Sequence, residues 1–206
     1  MFITLEGPEG SGKSMQICDM AEFLRRQGKQ VLTTREPGGT FIGDQIREVI
    51  MRMDNTMMSP RAEILLFCAA RAQIVEEVIR PNLEKGVVVI SDRYADSTLA
   101  YQGYGHGLDL EILKQILHFA TGGLKPDLTL LLDVDVEEGL NRRRIGGGEW
   151  NRLDAQQLAF HQRVRQGYLK MVTEEPARWL VINAGKKPPQ VQADIQAALL
   201  ERLGNQ

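Results

Sequence analysis

Short apolar runs alternate with longer segments of helical periodicity along this chain. Runs of aliphatic, aromatic or β-branched residues predict buried strands of a parallel sheet at 2–5, 30–34, 87–90, 129–132 and 179–182. Apolar residues that recur every three or four positions predict helices over 13–27, 40–53, 60–83, 110–121, 136–144, 154–175 and 189–203. This alternation predicts an α/β fold, a doubly wound five-stranded parallel sheet with helices on both faces.

Length and composition favour one domain. The chain has 206 residues, of which 43% are hydrophobic, enough for one sizeable core and short for two. No repeat or linker marks a boundary, so residues 1–206 are predicted to form a single domain. The net charge is −2, and Arg142 to Arg144 form the one basic cluster of the sequence, so nucleic-acid binding is not indicated.

The sequence also bears on cellular location. No stretch approaches the length of a membrane span, and the charged Glu6 directly follows the first apolar run. We therefore expect neither a membrane segment nor a signal peptide. Cys18 and Cys68 lie within apolar helical patterns without close cysteine pairing, which predicts two reduced core thiols. Together these features predict a cytoplasmic protein.

The segment from Gly7 to Ser14 matches the P-loop pattern Gly-x-x-x-x-Gly-Lys-Ser/Thr. Its glycines let the backbone turn several N–H groups towards one polyphosphate, Lys13 can reach the terminal phosphates, and the Ser14 hydroxyl can ligate Mg²⁺. A predicted strand before the loop and a predicted helix after it favour this interpretation over a glycine-rich turn without a ligand. The residues expected to bind a nucleoside triphosphate are Gly7, Pro8, Glu9, Gly10, Ser11, Gly12, Lys13 and Ser14.

Polar residues follow each predicted strand. They are Glu6, the turn 35–39, the segment 91–94, Asp133 and the segment 183–185. Ligands of open parallel sheets bind outside the carboxyl ends of the strands. We therefore expect these residues to meet at one edge and to form the active site.

The reaction that the phosphate site serves depends on residues outside the P-loop. The chain contains neither Asp-x-x-Gly nor Asn-Lys-x-Asp, the motifs of guanine-specific switches resembling Ras. Three arginines, 142–144, precede three glycines, 146–148, and Arg152 follows. Phosphoryl transfer needs cations on the migrating group and exclusion of water. We interpret 142–153 as a short arginine-rich lid of a small-molecule kinase, with a solvated turn as the alternative.

Several longer motifs resemble the thymidylate kinase (dTMP kinase) family over nearly the whole chain. They are the P-loop, Thr-Arg-Glu-Pro-Gly-Gly-Thr at 34–40, Phe-Cys-Ala-Ala-Arg at 67–71, Asp-Arg-Tyr at 92–94, Ser-Thr at 97–98, Ala-Tyr-Gln-Gly at 100–103 and Pro-Asp at 126–127. Gly10 stands where one subclass carries an arginine, so the chain resembles the bacterial type with its catalytic arginine in the lid. The lid reads Asn-Arg-Leu-Asp at 151–154 instead of the usual Asp-Arg-x-Glu, which leaves open what orients Arg152.

The resemblance implies a fold, a reaction and an assembly. The fold would be that of P-loop kinases. The reaction would be the ATP-dependent phosphorylation of dTMP to dTDP in dTTP biosynthesis, by direct in-line transfer with Mg²⁺. The family also implies a homodimer. The apolar helix face from Ile64 to Ile74 is one candidate interface, and a core position for that face is the equal alternative.

By matched position, the resemblance assigns roles around the phosphates. Lys13 and Ser14 would hold the ATP phosphates and Mg²⁺, and Asp92 would be a second metal ligand or the partner of Arg93. Glu9 would lie near the sugar and phosphate of dTMP, and Arg93 would grip that phosphate. The expected catalytic residues are Glu9, Lys13, Arg93 and Arg152, and Arg142 or Arg144 could share the role of Arg152. ATP would also contact Arg142 and Ala184.

The resemblance likewise implies a thymine pocket. Phe67 would stack on the base, Arg71, one helical turn later, would donate to its O4, and Thr98 would lie near N3. Tyr101 would lie under the sugar, where a ribose 2′-hydroxyl would project. The expected acceptor-site residues are Glu9, Arg35, Pro37, Phe67, Arg71, Arg93, Ser97, Thr98, Tyr101 and Gln102.

Two other functions stay open at this point. Another nucleoside monophosphate kinase would share the P-loop and the Asp-Arg element, although segments 35–39 and 100–103 fit it less well. A nucleotide-binding regulatory module would bind ATP without turnover. No general base is needed in a monophosphate kinase, because the second pKa of a phosphate monoester is about 6. His106, His118 and His161 are accordingly expected as surface or packing residues.

Overall fold

The computed structural model describes residues 1–146 and 150–204. All strand pairs in its sheet are parallel, and their order is β2-β3-β1-β4-β5. The strands are β1 (Phe2–Glu6), β2 (Val31–Arg35), β3 (Val88–Asp92), β4 (Leu128–Asp133) and β5 (Trp179–Asn183). The predicted five-stranded parallel sheet is confirmed, with strand bounds within two residues of those expected.

The helices cover the two faces of this sheet. They are α1 (Lys13–Arg26), α2 (Phe41–Met51), α3 (Pro60–Ile74), α4 (Arg80–Glu84), α5 (Ala95–Thr98), α6 (Leu110–Thr121), α7 (Val136–Ile145), α8 (Leu158–Glu174) and α9 (Pro188–Gly204). A π-helical segment, Val75–Ile79, joins α3 to α4, so the region predicted as one helix over 60–83 is continuously helical but consists of three consecutive segments. Helix α8 begins four residues later than predicted, because the Asn151 side chain accepts from two backbone N–H groups and holds a turn there.

One helical region was absent from the sequence prediction. Helix α5 continues into a second π-helical segment, Leu99–Gly105, between β3 and α6. Its two glycines and mixed polar residues show no clear helical period. Tertiary packing holds it, since a Cβ at Gly105 would lie 2.6 Å from the ring of Phe160 on α8. This packing brings 97–102 to the carboxyl edge of the sheet.

The core lies on both sides of the sheet because strand side chains alternate in direction. On β4, Leu130 packs in the cluster formed with α1 and α9, whereas Leu131 packs with Tyr168 of α8 on the other side. Each such buried leucine stabilises the fold by about 1.5–3 kcal/mol relative to an exposed one. The polar ends of the strands are thereby fixed at one edge.

Two expectations need correction or resolution. The face from Ile64 to Ile74 is buried within the monomer, with Ile64 and Ile74 in different core clusters, so it belongs to the core. Cys68 is buried as predicted, but Cys18 is exposed, because its position on α1 turns away from the sheet.

The predicted lid, 142–153, spans Gly147, Gly148 and Glu149, which lie outside the described residues.

Candidate active site

The P-loop connects β1 to the N-terminus of α1. Gly7, Gly10 and Gly12 have φ angles of 143°, 68° and 86°, a left-handed series that only glycine adopts without strain. The Lys13 ammonium lies over the loop and donates to the carbonyl oxygens of Gly7 and Pro8, both at 3.1 Å. Burial, together with the charge of Arg93, lowers the pKa of Lys13 to about 8.

Gly10 leaves no room for a side chain in the loop. A Cβ at Gly10 would lie 1.9 Å from the carbonyl oxygen of Gly139 on α7, and one at Gly139 would lie 2.3 Å from the carbonyl oxygen of Glu9. The P-loop and α7 therefore meet backbone to backbone. An arginine side chain at position 10 would clash with the backbone of α7, so a catalytic arginine has no room in this loop.

Ser14 and Asp92 lie side by side at the ends of two adjacent elements. The Ser14 hydroxyl donates to Oδ2 of Asp92 at 2.9 Å. Among the described residues, no group of three or more His, Cys, Asp or Glu side chains could hold a metal. Mg²⁺ is commonly held by one or two protein oxygens together with substrate phosphates and water. The oxygens of the Ser14–Asp92 pair fit that mode, and both roles expected for Asp92 stay predictions.

Arg93 and Glu9 form an ion pair next to the P-loop lysine. Arg93 Nη2 donates to Oε1 of Glu9 at 2.8 Å, and the Tyr101 hydroxyl donates to the same oxygen at 2.7 Å. The guanidinium also lies 4.9 Å from the centroid of the Tyr101 ring. Burial acts to raise the pKa of Glu9, but Arg93 and Lys13 outweigh it and lower the pKa to about 2. Glu9 is therefore ionised at neutral pH.

Most of the expected site residues meet in one cavity of about 410 Å³. The expected residues that line it are Glu9, Gly10, Ser11, Gly12, Lys13, Ser14, Arg35, Pro37, Phe67, Arg71, Asp92, Arg93, Ser97, Thr98, Tyr101 and Gln102. Gly7 and Pro8 lie behind the Lys13 ammonium. Within the described part of the chain, Arg142, Ala184 and Arg152 are the expected residues that lie elsewhere.

The far wall of the cavity is built around Arg71. Its Nε donates to Oε2 of Glu36 at 2.7 Å, Nη1 to the Thr98 hydroxyl at 3.0 Å and Nη2 to the Tyr94 carbonyl at 3.1 Å. Burial alone would lower the pKa of Arg71, but the Glu36 carboxylate raises it. Phe67 lies one turn earlier on the same face of α3 and lines the same wall. The wall thus combines a fixed cation with an aromatic ring.

Arg142 and Ala184 contact each other outside the cavity lining. Arg142 Nη1 donates to the carbonyl oxygen of Ala184 at 2.7 Å, and the same guanidinium pairs with Glu138 one turn earlier on α7. The two residues expected to flank the donor nucleotide are therefore in direct contact.

Arg152 is held by α3. Its guanidinium pairs with Glu63, and its Nε donates to the carbonyl oxygen of Ile50 at 3.2 Å. Glu63 is 1% exposed and also accepts from Nε2 of Gln102 at 2.6 Å. Arg152 therefore contacts the lining of the cavity through Glu63 and Gln102.

A different arginine of the lid lines the cavity. Arg143 donates to both carboxylate oxygens of Asp154, at 3.3 and 3.0 Å, and Asp154 also accepts from the backbone N–H of Asn151 at 3.0 Å. Of the two positions that depart from the family pattern, Asp154 therefore pairs with Arg143, and Asn151 contacts Asp154. Sequence reasoning did not single out Arg143, although it follows Gly139 by one helical turn on the face that meets the P-loop. Other lining residues, to which the sequence assigned no individual role, are Met15, Glu36, Arg47, Met51, Asn151 and Leu153.

The histidines lie where expected. His118 is exposed on α6, and the rings of His106 and His161 pack against Phe160 with centroid distances of 4.7 and 5.4 Å. Burial lowers the pKa of both packed histidines.

Comparison with known proteins identifies the family. The family model described as thymidylate kinase matches residues 5–195. Thymidylate kinase from Roseiflexus sp. strain RS-1 is 53% identical over 195 residues, which cover 89% of this chain and 86% of that protein. Thymidylate kinase from Deinococcus radiodurans is 50% identical, with 98% and 97% covered. This chain belongs to the thymidylate kinase family.

Solved structures agree with this thymidylate kinase membership. The crystal structure of thymidylate kinase from Ehrlichia chaffeensis superposes with a TM-score of 0.79 at 31% identity, covering 97% of this chain and 98% of that one. The P-loop kinase fold expected from the sequence is thus confirmed, and the protein is a kinase, an enzyme that transfers phosphoryl groups. Among the described residues, no helix is both long and apolar enough to cross a membrane.

Proposed function

We propose that this enzyme phosphorylates dTMP to dTDP with ATP as the donor. One observation carries the proposal: the P-loop, Arg93 and the wall of Phe67 and Arg71 line one cavity. A nucleoside monophosphate in that cavity would place its base against the aromatic wall and its phosphate beside Arg93 and the P-loop. The family to which the chain belongs supports the same substrates.

Thymine suits the far wall chemically. Its O4 is an acceptor, and the Arg71 guanidinium is a donor that Glu36 and Thr98 hold in place. Phe67 offers a flat apolar face for stacking. The Tyr101 hydroxyl donates to Glu9, which fixes the orientation of its ring. In the proposed binding mode the ring lies under the sugar, where a ribose 2′-hydroxyl would project, so the site favours a deoxyribose.

The chemical step that we propose is a direct in-line transfer. A phosphate oxygen of dTMP attacks the γ-phosphorus, and the bond to the β,γ-bridging oxygen breaks to release ADP. The acceptor oxygen is already an anion above a pKa of about 6, so no general base is needed. Lys13 and Arg93 hold the two phosphates in place and neutralise charge, and Glu9 keeps Arg93 oriented.

Ser14 and Asp92 are the residues that would hold Mg²⁺. Bound there, the cation supplies charge neutralisation on the donor phosphates. The hydroxyl and the carboxylate provide the oxygen ligands that Mg²⁺ prefers.

Two lid arginines are candidates for the cation on the migrating phosphoryl group. Arg152, singled out from the sequence, stays a prediction, and its ion pair with buried Glu63 supports an anchoring role for it. Arg143 lines the cavity and is held by buried Asp154. We favour Arg143 for the migrating group.

A coupled assay of ADP release, with dTMP present and absent, tests the proposal. A dTMP kinase releases ADP only with dTMP, whereas another nucleoside monophosphate kinase prefers a different acceptor at equal concentration. A regulatory module binds ATP and releases no ADP with any monophosphate. Either of the last two results would contradict the proposed function.

The remaining expectations are proposals of the same kind. A homodimer is supported by exposed apolar side chains on adjacent helices, among them Leu65 of α3 and Ile112 and Phe119 of α6, which are 60%, 56% and 88% exposed. Sedimentation would test it. The role in dTTP biosynthesis and the cytoplasmic location stay predictions.

A further inference from the structure

Glu6 is a buried acid next to the active site but behind its wall. It ends β1, directly before the P-loop, and its side chain is 0% exposed. Oε1 accepts from the backbone N–H of Tyr94 at 2.8 Å, and Oε2 accepts from the hydroxyls of Ser97 and Tyr168 at 2.5 and 2.9 Å. Burial, helped by nearby Asp96, raises the pKa of Glu6 to about 7. Burying an acid is unfavourable unless such hydrogen bonds compensate it.

The same two hydroxyls accept hydrogen bonds from Arg93. Its Nη1 donates to the Ser97 oxygen at 3.2 Å and to the Tyr168 oxygen at 3.3 Å. A hydroxyl has one proton and two lone pairs. When Glu6 is ionised, both hydroxyls can direct their protons to its Oε2, and their lone pairs then face the guanidinium. Glu6 therefore sets the hydrogen-bond polarity of the surface on which Arg93 rests.

The backbone of Arg93 depends on β1 as well. Arg93 has a φ of 70°, a left-handed conformation that is strained for any residue with a side chain. Its own N–H donates to the carbonyl oxygen of Leu5 at 3.0 Å, and the next N–H, that of Tyr94, donates to Glu6. Two consecutive residues of β1 thus hold the two peptide groups on either side of the strained position.

We propose that Glu6 is a positioning residue for Arg93. It holds the Arg93 backbone through Tyr94 and the guanidinium through Ser97 and Tyr168, in the geometry that grips the acceptor phosphate. Glu6 itself lies outside the cavity lining and acts only through these residues. The inference rests on the proposed function, since Arg93 is taken to bind the phosphate of dTMP.

The substitution Glu6→Gln tests this with almost no change in volume. One orientation of the amide places its NH₂ group against the Tyr94 N–H. The other places it against the two hydroxyls; these lie 2.9 Å apart, so one can donate to the other, and the remaining proton must turn towards Arg93. Either orientation sets donor against donor, so we expect kcat/KM for dTMP to fall about 10- to 100-fold through misplacement of Arg93. The KM for ATP should stay within about twofold of wild type, because only the acceptor site is disturbed.

A matched control is available on the same face of β1. Thr4 lies two residues before Glu6, and its hydroxyl pairs with that of Thr129 at 3.0 Å. Thr4→Val is also nearly isosteric and also removes a buried hydrogen bond. It should lower Tm but leave the KM for dTMP unchanged, which separates positioning from a general loss of stability.

Tyr168→Phe provides a second variant that keeps Glu6. It removes one of the two hydroxyls that accept from Arg93, so it should lower kcat/KM for dTMP by raising KM, by a smaller factor than Glu6→Gln does. If Glu6→Gln does not fold, the kinetics of Tyr168→Phe test the inference instead. The inference is overturned if wild type phosphorylates dTMP while the folded variants keep its kcat and KM for dTMP. A wild-type enzyme without dTMP turnover would overturn the proposed function, and the inference with it.

Discussion

The Arg143 guanidinium donates to both carboxylate oxygens of Asp154, at 3.3 and 3.0 Å, across the two ends of the lid. Arg143 lies one helical turn after Gly139, where the backbone of α7 meets the P-loop at Glu9. The same helix therefore contacts the phosphate loop and presents a cation to the cavity. Because the Asp154 side chain is 0% exposed, that cation has a fixed position.

The first prediction concerns this cation. Arg143→Ala should lower the single-turnover rate of phosphoryl transfer by about 10²–10³, the usual loss when a transition-state charge partner is removed. Arg152→Ala should lower that rate less and reduce Tm more, because its guanidinium pairs with buried Glu63. Arg144 stacks on Trp150, and its alanine variant should have the smallest effect.

Rapid-quench measurements on the three alanine variants would check this order. If Arg152→Ala alone lost the transfer rate, the assignment derived from the sequence would be right and the one derived from the geometry wrong. Unchanged rates in all three would exclude the lid as the source of the cation.

Lys13 should impose a pH dependence on the capture of ATP. Burial and Arg93 lower its pKa to about 8 in the free protein, and only the ammonium form attracts phosphate. The parameter kcat/KM for ATP reports the free enzyme, so it should fall about tenfold per pH unit above that value. Bound phosphates stabilise the ammonium, so kcat should persist to higher pH. Profiles from pH 7 to 10 would test this, and a flat kcat/KM would contradict it.

Removing the Lys13 side chain should abolish catalysis without unfolding the protein. Its ammonium contacts loop carbonyls and a hydroxyl instead of core side chains. We expect Lys13→Ala to lower kcat by about 10²–10³ or more. The thermal melt followed by circular dichroism should stay close to wild type. Near-normal turnover in this variant would mean that the P-loop does not hold the donor as proposed.

Base selectivity tests the far wall of the cavity. Cytosine presents an amino donor where thymine presents O4, so dCMP would set a donor against the Arg71 guanidinium. Sites built around a specific hydrogen bond can reject such an analogue by about 10⁴, and we expect at least about 10²-fold preference for dTMP. Comparable wild-type kcat/KM values for dTMP and dCMP would refute this pocket.

The variants for this test must respect the Arg71–Glu36 ion pair. Both side chains are nearly inaccessible, at 1% and 2% exposure, so Arg71→Ala alone would strand a buried carboxylate at a cost of about 3–5 kcal/mol. The double variant Arg71→Ala/Glu36→Gln removes the donor without the unpaired charge and should lose the preference chiefly through lower dTMP activity. Phe67→Ala should weaken both pyrimidines alike. A double variant that discriminates as wild type does would show that Arg71 does not read the base.

Local sequence patterns were enough to predict the sheet, most helix positions and the P-loop. Strands of a covered parallel sheet are continuously apolar, and the P-loop needs glycines at fixed spacing, so both leave a signal within a few residues. The carboxyl-edge rule also predicted that the ends of all five strands would form the site; residues 35–37 and 92–93 do line the cavity with the P-loop, whereas Glu6, Asp133 and residues 183–185 do not.

Tertiary structure alone decided how the lid and the buried acids are used. Residue type alone gives no reason to assign different roles to Arg142, Arg143 and Arg152. Their surroundings differ because α7 packs on the P-loop and because Arg152 pairs with Glu63. The helical region 95–105 has no period of its own and forms because α8 covers it. Glu6 was expected at the active-site edge from its place at a strand end, but nothing in the sequence indicated that it is fully buried or which residues it contacts. Its partners Ser97 and Tyr168 lie 91 and 162 positions later in the sequence. Local sequence patterns do not predict contacts over such separations, because only the tertiary fold brings these residues together.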